Sequence, residues 1–205
     1  VLLVIAVIAA AFAGCSGGSV TAKVIEINLS DEEYAFGVDK NQPELMEEAN
    51  ALIAEIKSNG TLDEICNRYF AGGEPVGVTS AQLDTSKDQL VVATNAEFAP
   101  FEYKNGDTFY GIDMEIAKLL ADRLGKELVI QDMNFDAVLL SVQQQKSDIG
   151  MAGLTVSPDR AAQVDFTDSY YSTSQRIIVR SDDTTFDNCK TKEDATAQFE
   201  TSLKQ

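Results

Sequence analysis

The sequence predicts an α/β protein, a mostly parallel β-sheet flanked by helices. From Gln89 to Leu154, short β-branched runs alternate with amphipathic stretches in the order β-α-β-α-β, the rhythm of a parallel sheet covered by helices. The first of those stretches, Asp113 to Leu124, sets Ile116, Leu119, Leu120 and Leu124 on one helical face. An apolar fraction of 44% is enough for such a chain to bury a core.

The elements follow in order. The apolar run Val1 to Ala13 is too short to span a bilayer and suits the h-region of a signal peptide. Small residues lead into Cys15, and Ser16, Gly17 and Gly18 follow as a flexible polar tether. This resembles a lipobox, in which Cys15 is lipidated and residues 1–14 are removed; an ordinary secretory signal with a chance cysteine is the alternative. "AKVIEINLS" (Ala22 to Ser30) alternates β-branched and polar residues and reads as a strand, with "YAFGV" (Tyr34 to Val38) as a second. A helix starting at Pro43 carries Leu45, Ala49, Leu52, Ile53 and Ile56 on one stripe and stops at Gly60. Thr61 with Glu64 forms a capping box for another helix, whose buried side is Leu62, Ile65, Cys66, Tyr69 and Phe70. Residues 71–89 read as a polar linker.

Beyond the linker come strand "QLVVATN", helix Asp113 to Leu124, strand "ELVIQDM", helix Asp136 to Lys146 and strand "DIGMAGL". "SQRIIVR" (Ser174 to Arg180) is a further strand, and "TKEDATAQFETSLKQ" a final helix.

Composition excludes several functions. A net charge of −17 repels nucleic acid and anionic membrane surfaces. No histidine is present, which removes the commonest metal ligand and general base. Cys15, Cys66 and Cys189 are too far apart for a local metal knuckle. Cys66 and Cys189 are open to two readings, a disulfide or free thiols. No cofactor or metal is expected.

Ligands of open parallel α/β sheets bind beyond the carboxyl ends of the strands. Three loops occupy that rim. "NAEFAPFEY" presents Asn95, Glu97, Phe98 and Phe101; "NFDA" presents Phe135; "AGLTVSPDR" presents Gly153, Thr155 and Arg160. Ser157 caps a short helix begun by Pro158. Arg160, close to that helix's start, opposes the macrodipole, so propensity does not account for it. It is either the clamp for a ligand carboxylate or a solvated side chain paired with Asp159 or Asp165. Phe98 and Phe135 are core residues or the apolar wall of a small-ligand site; Phe101, after Pro100, is structural. Asp148, Asp165 and Asp168 read as solvated loop carboxylates.

Three blocks carry a resemblance. "EEYAFGVDKNQPELMEEANALIAEIKSNGTLDEICNRYF", "VVATNAEFAPFEYKNGDTFYGIDMEIAKLLADRLG" and "MNFDAVLLSVQQQKSDIGMAGLTVSPDRAAQVDFTDSYY" resemble the polar-amino-acid-binding proteins of ABC importers, type II periplasmic-binding folds. The resemblance implies two α/β lobes that close on one amino acid. It implies Arg160 on the ligand α-carboxylate, helped by Thr155 and the Gly153 backbone. Phe98 and Phe135 would sandwich the side chain and Asn95 would touch its polar end. Many relatives carry Asp where this chain has Asn95, and the neutral amide argues against a strictly cationic ligand.

In the family the "EEYAFGV" to "NRYF" block comes last in the chain; here it comes first. A circular permutation, with residues 71–89 joining the old termini, is the expectation carried forward; a recombined fragment is the alternative. The expected organisation is then residues 1–14 as a partial signal, 15–23 as lipidated cysteine and tether, and 24–31 as a hinge strand. Residues 32–181 form the first lobe and 182–205 the start of a second, truncated one. The two family hinge strands, "KVIEINL" and "RIIVRSDD", are expected side by side. The implied protein is a monomeric, lipid-anchored, extracytoplasmic binder that hands an amino acid to an ABC permease, and not an enzyme. With one lobe supplying half the contacts, weak binding is expected of this chain. Rival readings are an exported dehydratase for cyclohexadienyl acids on the same fold, a sensor input domain, and a gene fragment without function.

Overall fold

The computed structural model describes residues 21–202; the expected signal segment and Cys15 lie outside them. In chain order the elements are β1 (Ala22–Val24), β2 (Ser30–Tyr34), β3 (Gly37–Val38), α1 (Pro43–Ser58), α2 (Thr61–Phe70), β4 (Val78–Thr79), β5 (Gln89–Thr94), β6 (Glu97–Phe98), β7 (Glu102–Asn105), β8 (Thr108–Tyr110), α3 (Ile112–Leu124), β9 (Glu127–Asp132), α4 (Phe135–Gln143), β10 (Ile149–Gly150), α5 (Pro158–Ala161), β11 (Asp165–Phe166), β12 (Tyr171–Gln175), β13 (Ile178–Arg180) and α6 (Lys192–Ser202). They group into two compact units, one spanning Glu33–Tyr171 and one joining the stretch up to Glu32 with Ser172 onward. The main unit therefore ends at Tyr171, and β13 groups with the N-terminal segment.

The main unit is built on a five-stranded sheet in the order β11-β3-β10-β5-β9. Its heart is parallel: β10 beside β5, and β5 beside β9 in register from Gln89 opposite Glu127 to Thr94 opposite Asp132. The other edge is antiparallel, since β3 runs against β10 and β11 against β3. Successive strand residues face opposite sides. Leu90 and Val92 of β5 accordingly pack with α1, α2 and α3, while Ala93 packs with Val138, Leu139 and Val142 of α4. Residues from before and after the expected linker share that first core, including Ile53, Ile56 and Ile65 with Ile112, Ile116 and Leu120. Each such side chain, fully buried, contributes about 1.5–3 kcal/mol.

Several local expectations change. Thr61 and Glu64 form no capping box. Gly60, at φ 87°, is the N-cap residue, Thr61 is already helical, and the Asn59 side chain accepts the Thr61 N–H at 2.9 Å. The polar linker is only partly solvated: Val78 is buried, β4 pairs with β8, and Ala81 donates its N–H to the Leu128 carbonyl. The strand expected over Ala22–Ser30 divides into β1 and β2, because the Ile27 N–H turns back to the Ile25 carbonyl. The strand over Ser174–Arg180 is likewise divided between β12 and β13. Helix α4 ends at Gln143, with Gln145 at φ 56° closing it. Strand β10 covers only Ile149–Gly150, and the chain turns further on at Gly153, φ 52°. Asp148 is not a free solvated group; its carboxylate accepts the Val91 N–H at 2.8 Å. A second sheet, β4-β8-β7-β6, has no counterpart in the sequence reading.

The turn between β8 and α3 holds these layers together. Gly111 sits at φ 122°, ψ 167°, and a Cβ there would lie 2.1 Å from the Phe101 carbonyl oxygen. Its N–H donates to the Tyr69 hydroxyl of α2 at 3.0 Å, and that hydroxyl donates to Glu115 at 2.6 Å. Arg68 pairs with the same carboxylate at 3.1 Å. The block before the linker is thus pinned to the start of α3. Cys66, on α2, is partly buried; burial pushes its thiol up to about 11, which makes it unreactive at neutral pH. It and Cys189 are free thiols.

In the other unit, β1 and β13, expected side by side, pair antiparallel from Ala22 opposite Arg180 to Val24 opposite Ile178. Lys23 pairs with Asp187 at 2.6 Å and Arg176 with Glu26. Among the described residues no helix is long and apolar enough to cross a membrane.

Candidate functional site

All six residues singled out for ligand binding lie on the main unit, at the carboxyl ends of β5, β9 and β10 or in the segments just after them. Past β5, the Asn95 amide donates to the Met133 carbonyl at 3.0 Å, and the Ala96 N–H donates to the Asp132 carboxylate at 3.0 Å. These two bonds tie the loop after β5 to the loop after β9. The peptide between Ala99 and Pro100 is cis. Phe98, in β6, stacks on Phe101 with centroids 5.6 Å apart. Phe101 is buried and meets Tyr34 and Tyr171 edge-on at 5.0 and 5.1 Å. Phe98 remains 44% exposed. It is therefore an open aromatic shelf on a rigid aromatic foundation.

The Gly153–Arg160 segment lies against that shelf. A Cβ on Gly153 would meet the Phe98 ring at 3.0 Å, so only glycine lets the backbone approach so closely at its positive φ. Thr155 bridges antiparallel to Tyr34, and the Val156 N–H donates to the Glu33 carbonyl at 3.0 Å. Ser157 caps α5 as its position predicts, accepting the Arg160 N–H at 3.4 Å. The Arg160 guanidinium donates to the Thr155 carbonyl at 2.9 Å and sits 5.1 Å over the Phe135 ring. Among the described residues it makes no ion pair within 4.0 Å, so the expected alternative, pairing with Asp159 or Asp165, is absent. Phe135, the first residue of α4, is 38% exposed. Phe98, Gly153, Thr155, Arg160 and Phe135 thus form one continuous surface; Asn95 flanks it, its NH2 group committed to Met133. That surface offers a partly exposed cation and two open rings. It suits a small molecule that carries a carboxylate and a side chain able to stack.

Beneath it lies a group the sequence reading missed. Asp113 is fully buried, and its carboxylate accepts the Gly153 N–H at 2.9 Å and the Tyr170 hydroxyl. Burial raises its pKa, and those two donors act in the opposite direction. Glu102, 1% exposed, has no hydrogen-bond partner for either oxygen among the described residues, and burial followed by the Asp113 charge raises its pKa strongly. Burial and then the Asp113 charge also raise the Tyr170 phenol. One signal for Asp113 was available: it falls three, four and seven residues before Ile116, Ala117 and Leu120, on the apolar stripe of α3.

Residues 90–205 match the family of bacterial extracellular solute-binding proteins, family 3. The arginine-binding extracellular protein of Bacillus subtilis (strain 168) is 37% identical over 106 residues, covering 52% of this chain and 42% of that protein. The histidine-binding periplasmic protein of Salmonella typhimurium is 30% identical over 92 residues, covering 44% and 35% respectively. A solved ancestral arginine-binding protein bound to arginine is 36% identical, covers 42% of this chain and 38% of its own, and superposes with a TM-score of 0.40. In each case the match spans less than half of the relative.

Proposed function

Because the chain belongs to the bacterial extracellular solute-binding proteins of family 3, we propose that it captures a polar amino acid outside the cytoplasm for an ABC-type importer. The observation that carries this reading is Arg160: a part-buried guanidinium with no ion pair among the described residues, held over an exposed ring. The ligand α-carboxylate takes the guanidinium fork alongside Thr155 and Gly153, the latter's own N–H being held by Asp113. The ligand side chain lies against Phe98 and Phe135, and its polar end reaches Asn95. The names of the relatives make arginine and histidine the first ligands to try.

Capture then works by differential affinity, the ligand favouring the conformation that a permease recognises. The reading includes a lipid anchor on Cys15, a monomeric state, and a circularly permuted order in which α1 and α2 complete the main unit from the N-terminal side. The shared packing of α1, α2 and α3 supports that order. Binding without turnover is proposed, since the carboxyls with raised pKa at this end, Glu102 and Asp113, are buried beneath the surface and not open to a ligand.

The test is a titration of the full chain with arginine, histidine and glutamine at millimolar concentration, followed by amide chemical shifts. Saturable shifts at Gly153, Thr155 and Arg160, lost in Arg160→Ala, are expected. No response to any amino acid, or a response that survives Arg160→Ala, would overturn the reading.

A further inference from the structure

We propose that Glu102 and Asp113 form a buried acid–carboxylate pair carrying one negative charge between them, with Asp113, as the anion, positioning the ligand-binding loop. Only the link to ligand affinity rests on the proposed function; the pair and its effect on the loop stand on geometry.

The two residues belong to neighbouring segments. The Asp113 N–H donates to the Phe101 carbonyl at 2.9 Å, one residue before Glu102, and Gly111 packs against the same backbone. Both side chains are withdrawn from water. Among the described residues, neither carboxyl makes an ion pair within 4.0 Å; the guanidinium on the adjoining part of α2, Arg68, is committed to Glu115. Two anions on these neighbouring segments, both withdrawn from water and without a countercharge among the described residues, repel each other and are unfavourable, so one proton stays.

The hydrogen bonds decide which group keeps it. Asp113 accepts from two donors, the Gly153 N–H and the Tyr170 hydroxyl, and both favour its charged form. It also stands in the first turn of α3, where the helix terminus favours an anion. Among the described residues Glu102 has no donor for either oxygen, and it keeps the proton. The titratable groups around Asp113 are Glu102 from β7, Tyr170 with Tyr34 beside it, Cys66 from α2, and Glu115 on its own helix. None of these supplies a positive charge.

The consequence for the site follows the chain of contacts. Asp113 fixes the Gly153 amide, and Gly153 sits under the Phe98 ring. Two residues on, Thr155 offers its carbonyl to Arg160, which lies over Phe135. Protonating Asp113 weakens the acceptor that holds this loop, so acidification loosens the groups that meet the ligand.

The experiment follows the Gly153 amide proton of the full chain by NMR from pH 4 to 9, in the wild type, Glu102→Gln and Asp113→Asn. The amide proton is expected to shift with a midpoint clearly above the ordinary carboxylate range. That titration persists in Glu102→Gln, because a neutral acid has been replaced by a neutral amide, and it disappears in Asp113→Asn. A Gly153 amide that does not respond overturns the proposal. So does a wild-type midpoint in the ordinary range, or a midpoint that drops into that range in Glu102→Gln, which would place the charge on Glu102. With arginine as the probe, apparent affinity falls at least tenfold in Asp113→Asn and declines on acidification through the wild-type midpoint. Unchanged affinity in Asp113→Asn overturns the positioning role. If arginine, histidine and glutamine all fail to bind, the proposed function fails, and the amide titration still decides the pair.

Discussion

Replacing Gly111 by alanine tests the keystone turn that supports both the core and the site. The residue occupies φ 122°, ψ 167°, a region open essentially to glycine alone, and holding another residue there costs about 1–3 kcal/mol. Space makes the cost larger. The new Cβ would lie 2.1 Å from the Phe101 carbonyl oxygen and 2.9 Å from the Glu102 nitrogen, both backbone atoms that no rotamer change can move. The turn must retreat, and three hydrogen bonds ride on it: Gly111 to the Tyr69 hydroxyl at 3.0 Å, Ile112 to the Pro100 carbonyl at 3.1 Å, and Asp113 to the Phe101 carbonyl at 2.9 Å. At roughly 0.5–1.5 kcal/mol each, losing two adds about 1–3 kcal/mol. The sum, about 2–6 kcal/mol, is a large share of a typical domain stability of about 5–15 kcal/mol. The assay is urea unfolding followed by circular dichroism, with Gly106→Ala as control. Gly106 also has a positive φ, 61°, but a Cβ there meets nothing within 4 Å, so its cost is limited to about 1–2 kcal/mol of backbone strain. A Gly111→Ala midpoint no lower than that of Gly106→Ala would refute the argument.

Glu102→Gln stabilises the chain increasingly as pH rises above the ordinary glutamate range and has no such effect below that range. The folded-state pKa is raised, so the folded chain holds a proton that the unfolded chain releases once pH exceeds the ordinary glutamate range. The penalty is absent below that range and grows by about 1.4 kcal/mol per pH unit above it; unfolding curves at pH 4, 6 and 8 whose difference stays constant would contradict this. Tyr69→Phe strands the Gly111 N–H and removes a donor from Glu115, costing about 1–3 kcal/mol in the same urea assay; an unchanged midpoint would show the bond carries no net stability. Phe135→Ala takes away a partly exposed ring, so stability changes by less than about 1 kcal/mol, the usual size of an exposed cation–π contact. The amide response to amino acids should nevertheless weaken, and full retention of that response would remove Phe135 from the proposed site.

Periodicity and capping chemistry are properties of neighbouring residues, and the sequence expresses them directly. The stripe Leu52, Ile53 and Ile56 of α1, the inward residues of α3, the parallel strands β5 and β9, and the Ser157 cap before Arg160 all follow from spacing alone. So does the choice of rim loops, because parallel strands point their carboxyl ends the same way and Asn95, Phe98, Phe135 and Gly153 follow those ends closely.

Other features depend on which distant backbone arrives alongside. Thr61 and Glu64 have the spacing of a capping box, yet Gly60 and Asn59 take the helix start. Residues 78–81 look polar and free until β8 and β9 offer them hydrogen-bond partners. Arg160 has two acidic neighbours in sequence, and packing places its charge over Phe135 instead. Most of all, the sequence reading passed over Glu102 and Asp113, although Asp113 lies on the apolar stripe of α3. Only the meeting of β7, α3, Tyr170 and Gly153 strips them of water, and charge in a protein is governed by the surroundings that folding brings to it. Local pattern determined where the helices, the parallel strands and the rim would lie. Tertiary contact decided which charges stay open to a ligand and which are buried beneath it, since burial and pairing are properties of assembled surroundings that no short stretch of chain contains.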